Sequence, residues 1–220
     1  MKKIIVSRRQ HFFFLTDDTQ EESVYVSTFT GQTYRCSRLI FAVPPPALKS
    51  IVLSPGLPSL KKFFVDRMIM GSSIKFYATY DEPYWTRQGF SGQFLSNGGR
   101  KILVTESGVA LDGGPISWLV DGTPYSKVPM LVGFLAGKLA VEWSQVSEEE
   151  LQAAILDQLC AIFGSWACEP AGFVIKNWSN DHFVHGAPSA HPAVGTLFAY
   201  HALRQSFGPI HFAGTETAIQ

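Results

Sequence analysis

Charge is what this chain has least of. Asp, Glu, Lys and Arg make up 16% of its 220 residues, where globular domains carry about 25%. With 46% hydrophobic and 13% aromatic residues, such a chain buries more surface than its length alone provides for, so part of it is expected to pack on something else. Basic and acidic residues balance at 18 each. The one basic cluster, Lys2, Lys3, Arg8 and Arg9, reads as solvated, so nucleic-acid binding through a charged face is not expected. Cysteine is scarce as well. Cys36, Cys160 and Cys168 share no CxxC spacing, and Cys160 lies in an apolar helical pattern; it reads as a small core residue in a reduced intracellular setting. No apolar run approaches the roughly 18 residues of a membrane span. The opening MKKIIVSRRQ has an apolar stretch of only three residues and reads as a strand, not as a signal peptide. Walker loop, nucleophile elbow, Ser-His-Asp order and internal repeats are all missing.

What is present is organised as an excursion and a return. VYVSTFTGQTYRCSRLIFAV (24–43) alternates on either side of Thr30-Gly31-Gln32 and ends in the apolar run Leu39 to Val43, a hairpin feeding a strand of the parallel-sheet type. PPPALKSI then forbids further pairing and pre-sets a helix entrance or a linker. SIKFYATY, SGQFLS, KILVTE, PISWLV and MLVGFLA follow with polar turns and no helices between them, which predicts an antiparallel sheet. In SEEELQAAILDQLCAIFG, Ser147 and Glu150 form a capping box, Leu151, Ala154, Ile155, Leu159 and Ile162 share a face, and Gly164 ends the helix. AGFVIKNW (171–178) reads as one more strand and 179–209 mostly as loop, with a helical turn near Leu203. Ile210 to Ala213 is again a buried strand, followed by a glycine turn, Gly214-Thr215-Glu216-Thr217-Ala218, suited to a helix entrance.

Several of these stretches carry a resemblance. IHFAGTETA (210–218), NWSNDHFVHGAP (177–188), RLIFAVPP (38–45), MGSSIKFYATYDEPYW (70–85) and GFLAGKLAVEWSQVSEEE (133–150) are similar, in unbroken order, to segments of the flavin-containing amine oxidases, monoamine oxidases above all. The resemblance implies a mixed fold, α+β with an α/β portion: part of an FAD-binding Rossmann-like domain (1–48 and 179–220) with an inserted substrate domain of antiparallel sheet plus helix (49–178). It also implies oxidation of a primary or secondary amine to an imine, with O2 reduced to H2O2. GxGxxG occurs nowhere in the 220 residues, so the chain reads as an internal-to-C-terminal piece without the first FAD-binding half and the last helix, inactive alone.

By that resemblance Lys75 is the lysine that holds a water against the flavin; alternation alone would make it a solvent-facing strand lysine. Trp178 resembles a tryptophan beside the flavin, and composition alone would make it core. Gly186, Ala187, Gly214, Thr215, Glu216 and Thr217 match flavin contacts. Ala187 stands where monoamine oxidases carry the flavin-linking cysteine, and Pro188 where they carry a cage tyrosine. FAD is therefore expected to be held non-covalently, and monoamine selectivity is not assured. Polyamine oxidases, amino-acid oxidases and histone lysine demethylases share the same grammar, and a non-catalytic binding module is the alternative of a different class. His182-x-x-His185 with His191 has the spacing of a metal pair, but Gly186, Pro188 and Pro192 make the stretch a loop with no completing ligands. The compartment stays open, since monoamine oxidases use a C-terminal membrane tail that this stretch does not contain.

Overall fold

The computed structural model describes residues 12–16, 23–28, 30–96, 103–104, 110–111 and 114–218; the basic cluster and the expected first strand lie outside them. In chain order the first strands are β1 (Phe12–Thr16), β2 (Val24–Thr28), β3 (Thr33–Cys36) and β4 (Leu39–Phe41). Helix α1 (Ser59–Asp66) and strands β5 (Met68–Met70) and β6 (Ser73–Thr79) follow, then α2 (Tyr84–Arg87). Next come β7 (Phe94–Leu95), β8 (Leu103–Val104), β9 (Ala110–Leu111) and β10 (Trp118–Asp121). Helix α3 (Thr123–Ser126), strand β11 (Met130–Ala136) and helices α4 (Lys138–Trp143) and α5 (Glu148–Phe163) lead to β12 (Gly172–Asn177). The chain closes with β13 (Ala190–Pro192), α6 (Tyr200–Arg204) and β14 (Ile210–Phe212).

Two compact units result, one from residues 1–71 with 181–220 and one from 72–180. The inserted unit thus begins at Ser72, not at 49 as expected. The reason is α1, which the sequence reading passed over: Phe64 and Val65 are buried with Phe41, Leu203 and Ile210 in the core of the first unit.

In that unit β4 and β14 pair in parallel, Phe41 opposite Phe212, and the two rings stack at 5.9 Å. This is the common layer that the excursion and return required. β1, β2 and β3 form a separate antiparallel sheet, with Thr30-Gly31-Gln32 turning the hairpin as expected and Gly31 at φ 80°. The prolines after Val43 open a 3-10 turn, Pro45–Ser50. β13, unforeseen in a stretch read as loop, pairs antiparallel with β5.

The second unit is built on one antiparallel sheet, ordered β12-β6-β11-β10-β7. KILVTE does not join it: Leu103–Val104 pairs with Ala110–Leu111 instead. Alternation along β6 sends Ile74, Phe76 and Ala78 into the core and leaves Lys75, Tyr77 and Thr79 half-buried on the other face. The core face lies in one buried cluster with Leu151, Ile155 and Leu159 of α5, which starts at the expected capping box. Gly133 of β11 sits opposite Phe76, and a Cβ there would stand 2.1 Å from the Phe76 ring. After α5, Gly164 at φ 94° reverses the chain, so that Cys160 and Cys168 meet as a disulfide with Cα atoms 5.1 Å apart. This corrects the reading of Cys160 as an unpaired core cysteine and removes the ground for expecting a reduced setting. Among the described residues no helix is long and apolar enough to cross a membrane.

Candidate functional site

Six of the eight residues singled out by resemblance lie in the first unit and two in the second. In the first, β14 leads into the glycine turn. The Ala213 N–H donates to the Phe41 carbonyl at 2.7 Å, carrying the parallel ladder one residue past the strand. Gly214 then takes φ 121°, a conformation that L side chains avoid. The chain closes a single 3-10 turn, Thr215–Thr217, in which the Thr217 N–H and hydroxyl both donate to the Gly214 carbonyl, at 3.0 and 2.9 Å. Among the described residues the N–H groups of Gly214, Thr215 and Glu216 carry no hydrogen-bond partner. Consecutive open N–H groups suit a phosphate or polyol oxygen.

Glu216 is the residue that joins this turn to the second stretch. Its Oε1 accepts the Ala190 N–H at 2.7 Å, and its carbonyl accepts the Tyr200 hydroxyl at 2.9 Å. Arg204 donates to the Ala218 carbonyl at 2.7 Å. The Glu216 carboxylate is therefore already engaged by protein, a role its spacing did not reveal. Ala190 follows Gly186-Ala187-Pro188, and this loop is set by backbone contact: the Ala187 N–H donates to the Gly71 carbonyl at 2.9 Å, and the Gly71 N–H to Ser189 at 3.1 Å. A Cβ on Gly186 would lie 2.3 Å from the Gly71 oxygen, and one on Gly71 would lie 2.7 Å from that of Ala187. Both glycines are there because two main chains touch. Upstream, Asp181 Oδ1 accepts the N–H groups of Phe183 and Val184, and His182 and His185 sit on a loop with neither helix nor strand.

Beneath β14 lies a group that sequence reasoning missed. Lys61 is 2% exposed. Its Nζ donates to the carbonyls of Ala202 and Leu203 at 2.5 and 2.8 Å and rests 3.7 Å from the centroid of the Phe212 ring. Burial pulls its pKa down from 10.5 to about 8. No carboxylate pairs with it among the described residues, so helix-end carbonyls and a ring face compensate the charge.

In the second unit, Lys75 stands opposite Phe134 on one side and Lys176 on the other. Its Nζ lies 4.9 Å from the Tyr77 ring centroid and 5.1 Å from that of Phe134, and Trp118 stacks on Phe134 at 5.1 Å. Half-buried over two rings, Lys75 is not the plain solvent lysine that alternation alone would give. Trp178 is half-buried too; its N–H donates to Ser73 at 3.2 Å, and Lys176 Nζ is 5.3 Å from its ring. Leu95, Trp118 and Val174 are exposed on the same face.

Residues 15–220 match the family of flavin containing amine oxidoreductases. The chain belongs to that family. The probable flavin-containing monoamine oxidase A of Dictyostelium discoideum is 34% identical over 195 residues, 88% of this chain and 40% of the relative. Amine oxidase [flavin-containing] A of Canis lupus familiaris is 29% identical over 204 residues, 91% of this chain and 36% of the relative. Cyclohexylamine oxidase from Brevibacterium oxydans IH-35A superimposes with a TM-score of 0.77 at 28% identity, over 95% of this chain and 42% of that one. Wild-type putrescine oxidase bound to putrescine gives 0.74 at 26% identity, over 95% and 43%. The mixed fold expected from the sequence is thus that of the amine oxidases, and the chain spans about 40% of the length of such relatives.

Proposed function

We propose that this chain supplies the substrate sheet and the closing flavin contacts of an FAD-dependent amine oxidase that turns a primary or secondary amine into an imine and O2 into H2O2. One observation carries the reading: the parallel β4–β14 pair delivers a glycine turn with three open N–H groups, tied through Glu216 to the loop holding Ala187. That is a cradle for the polar part of a dinucleotide, and family membership makes a flavin the group it suits. FAD, when bound, supplies the acceptor for the hydride equivalent leaving the amine's α carbon. Gly214, Thr215 and Glu216 offer it main-chain N–H groups, while Thr215 and Thr217 add hydroxyls. The methyl group of Ala187 cannot form a thioether, so attachment is non-covalent. Lys75, with three N–H donors on its ammonium, holds a water and moves its proton as O2 is reduced. Trp178 and the aromatic face around Lys75 exclude bulk water from the amine. The compact unit of residues 1–71 with 181–220 acts as the flavin-binding part and that of 72–180 as the substrate part, a reading supported by their separate packing.

The test supplies the missing motif. The chain alone should be colourless and release no peroxide. Assembled with a relative's GxGxxG-bearing half, it should take up FAD, show the visible flavin band and release H2O2 with cyclohexylamine or putrescine. Denaturation should then free all of the flavin, as non-covalent binding requires. Lys75→Met should keep the flavin band but slow reoxidation by O2 at least about a hundredfold, the lower end of the range for a lost proton-transfer group. Flavin uptake with no peroxide from any amine would instead favour a binding module.

A further inference from the structure

Beyond the β6 lysine, the second unit has a cavity of about 240 Å³ lined by Tyr80, Asp81, Tyr84, Ser165, Trp166 and Glu169 among others. It does not belong to the site described above. Tyr80 is five residues past Lys75, roughly 16 Å along the strand, and Tyr80 is counted in the core cluster whereas Lys75 is on the outer face. Its walls are aromatic and fixed. The Tyr80 hydroxyl donates to the Ala167 carbonyl at 3.1 Å, and the Trp166 ring packs 5.3 Å from both Tyr80 and Tyr84. The Cys160–Cys168 disulfide closes the turn that carries Trp166. Its rim is acidic. Asp81 and Glu169 are both exposed, and among the described residues neither has an ion-pair or hydrogen-bond partner. The nearest guanidinium in sequence, that of Arg87, is already paired with Glu82.

We propose that this cavity binds a small organic ammonium ion, with ring faces and two carboxylates around the charge. Anions are repelled by Asp81 and Glu169. Hard metal ions need six to eight oxygen ligands, and the described residues hold no cluster of three or more metal-ligating side chains. The volume is below the roughly 300 Å³ at which drug-sized sites begin, which limits the ligand to a short alkylammonium. Aromatic walls are the common means of recognising such ions. The site does not depend on flavin and would act beside the oxidation chemistry, on the substrate class itself or on an amine metabolite that is not oxidised.

Calorimetric titration of the full chain with choline and with its neutral isostere 3,3-dimethylbutan-1-ol is the test. Saturable binding of choline, but not of the alcohol, is expected. Asp81→Asn with Glu169→Gln, two exposed changes that leave the fold intact by circular dichroism, should weaken choline roughly tenfold, the sum of two partly open ion pairs. Lys75→Met should leave it unchanged, which separates this site from the proposed oxidation centre. Equal binding of the alcohol, or full choline affinity in the folded double variant, would overturn the proposal, as would no saturable binding of choline.

Discussion

Replacing Lys61 by Met tests how a lone buried ammonium is tolerated under β14. The fall of its pKa from 10.5 to about 8 amounts to a penalty on the charged form of about 3 kcal/mol. Between those two values the unfolded chain keeps a proton that the folded chain has released. The unfolded state therefore binds more protons there, and stability rises with pH across that window. Below about 8 the penalty is present in full. Lys61→Met removes it, fills similar volume, and leaves the carbonyls of Ala202 and Leu203 without their donor, at about 1–3 kcal/mol each. At neutral pH the two effects partly offset, and parent and variant should agree within about 3 kcal/mol. As pH climbs past 10.5 the parent is relieved of its penalty while the variant is not helped, so the gap should widen by about 3 kcal/mol in the parent's favour. Urea midpoints by far-UV circular dichroism, taken for both proteins along the same pH series, give that difference directly and cancel other titrating groups common to both. A gap that stays constant from about 8 to 10.5 would refute the assignment of the shift to burial of this amine.

Two further perturbations probe the cradle. Gly186→Ala places a Cβ 2.3 Å from the Gly71 oxygen at a φ of 146°, and thermal unfolding should register a loss of at least about 2 kcal/mol; Gly31→Ala, with open space around it, should lose less. Glu216→Ala removes the acceptor of the Ala190 N–H and should lose about 1.5–3 kcal/mol, while Glu216→Gln keeps an acceptor and should lose about half of that. Equal losses in the two Glu216 variants would mean that the carboxylate does not hold the loop.

Local pattern carried most of the second unit. The capping box, the apolar stripe of α5 and the alternation of β6 are short-range features, and each is where the sequence placed it. The β4–β14 pairing was legible because two apolar runs flanked an excursion. What was not legible depends on partners far along the chain. Lys61 sits in SLKKFFVD beside a second lysine, and no local period says that its amine meets carbonyls 141 and 142 residues on. β5 and β13 are each three residues long and exist through the close approach at Gly71 and Gly186. The disulfide required knowing that Gly164 folds the chain back. At the site, the motif residues were readable one by one, but the bond from Glu216 to Ala190 spans 26 residues and appears only in three dimensions.

The missing side chain of Gly133 has a consequence for the lysine next door. With Phe76 filling the hollow over that glycine, β6 and β11 interlock best in the observed alignment; sliding β6 by a single residue would take Phe76 off that hollow and turn the Lys75 ammonium toward the core. Position 133 thus acts as a ratchet pawl for position 75. As long as the phenylalanine stays, even an alanine at 133 would disturb the alignment that places the lysine.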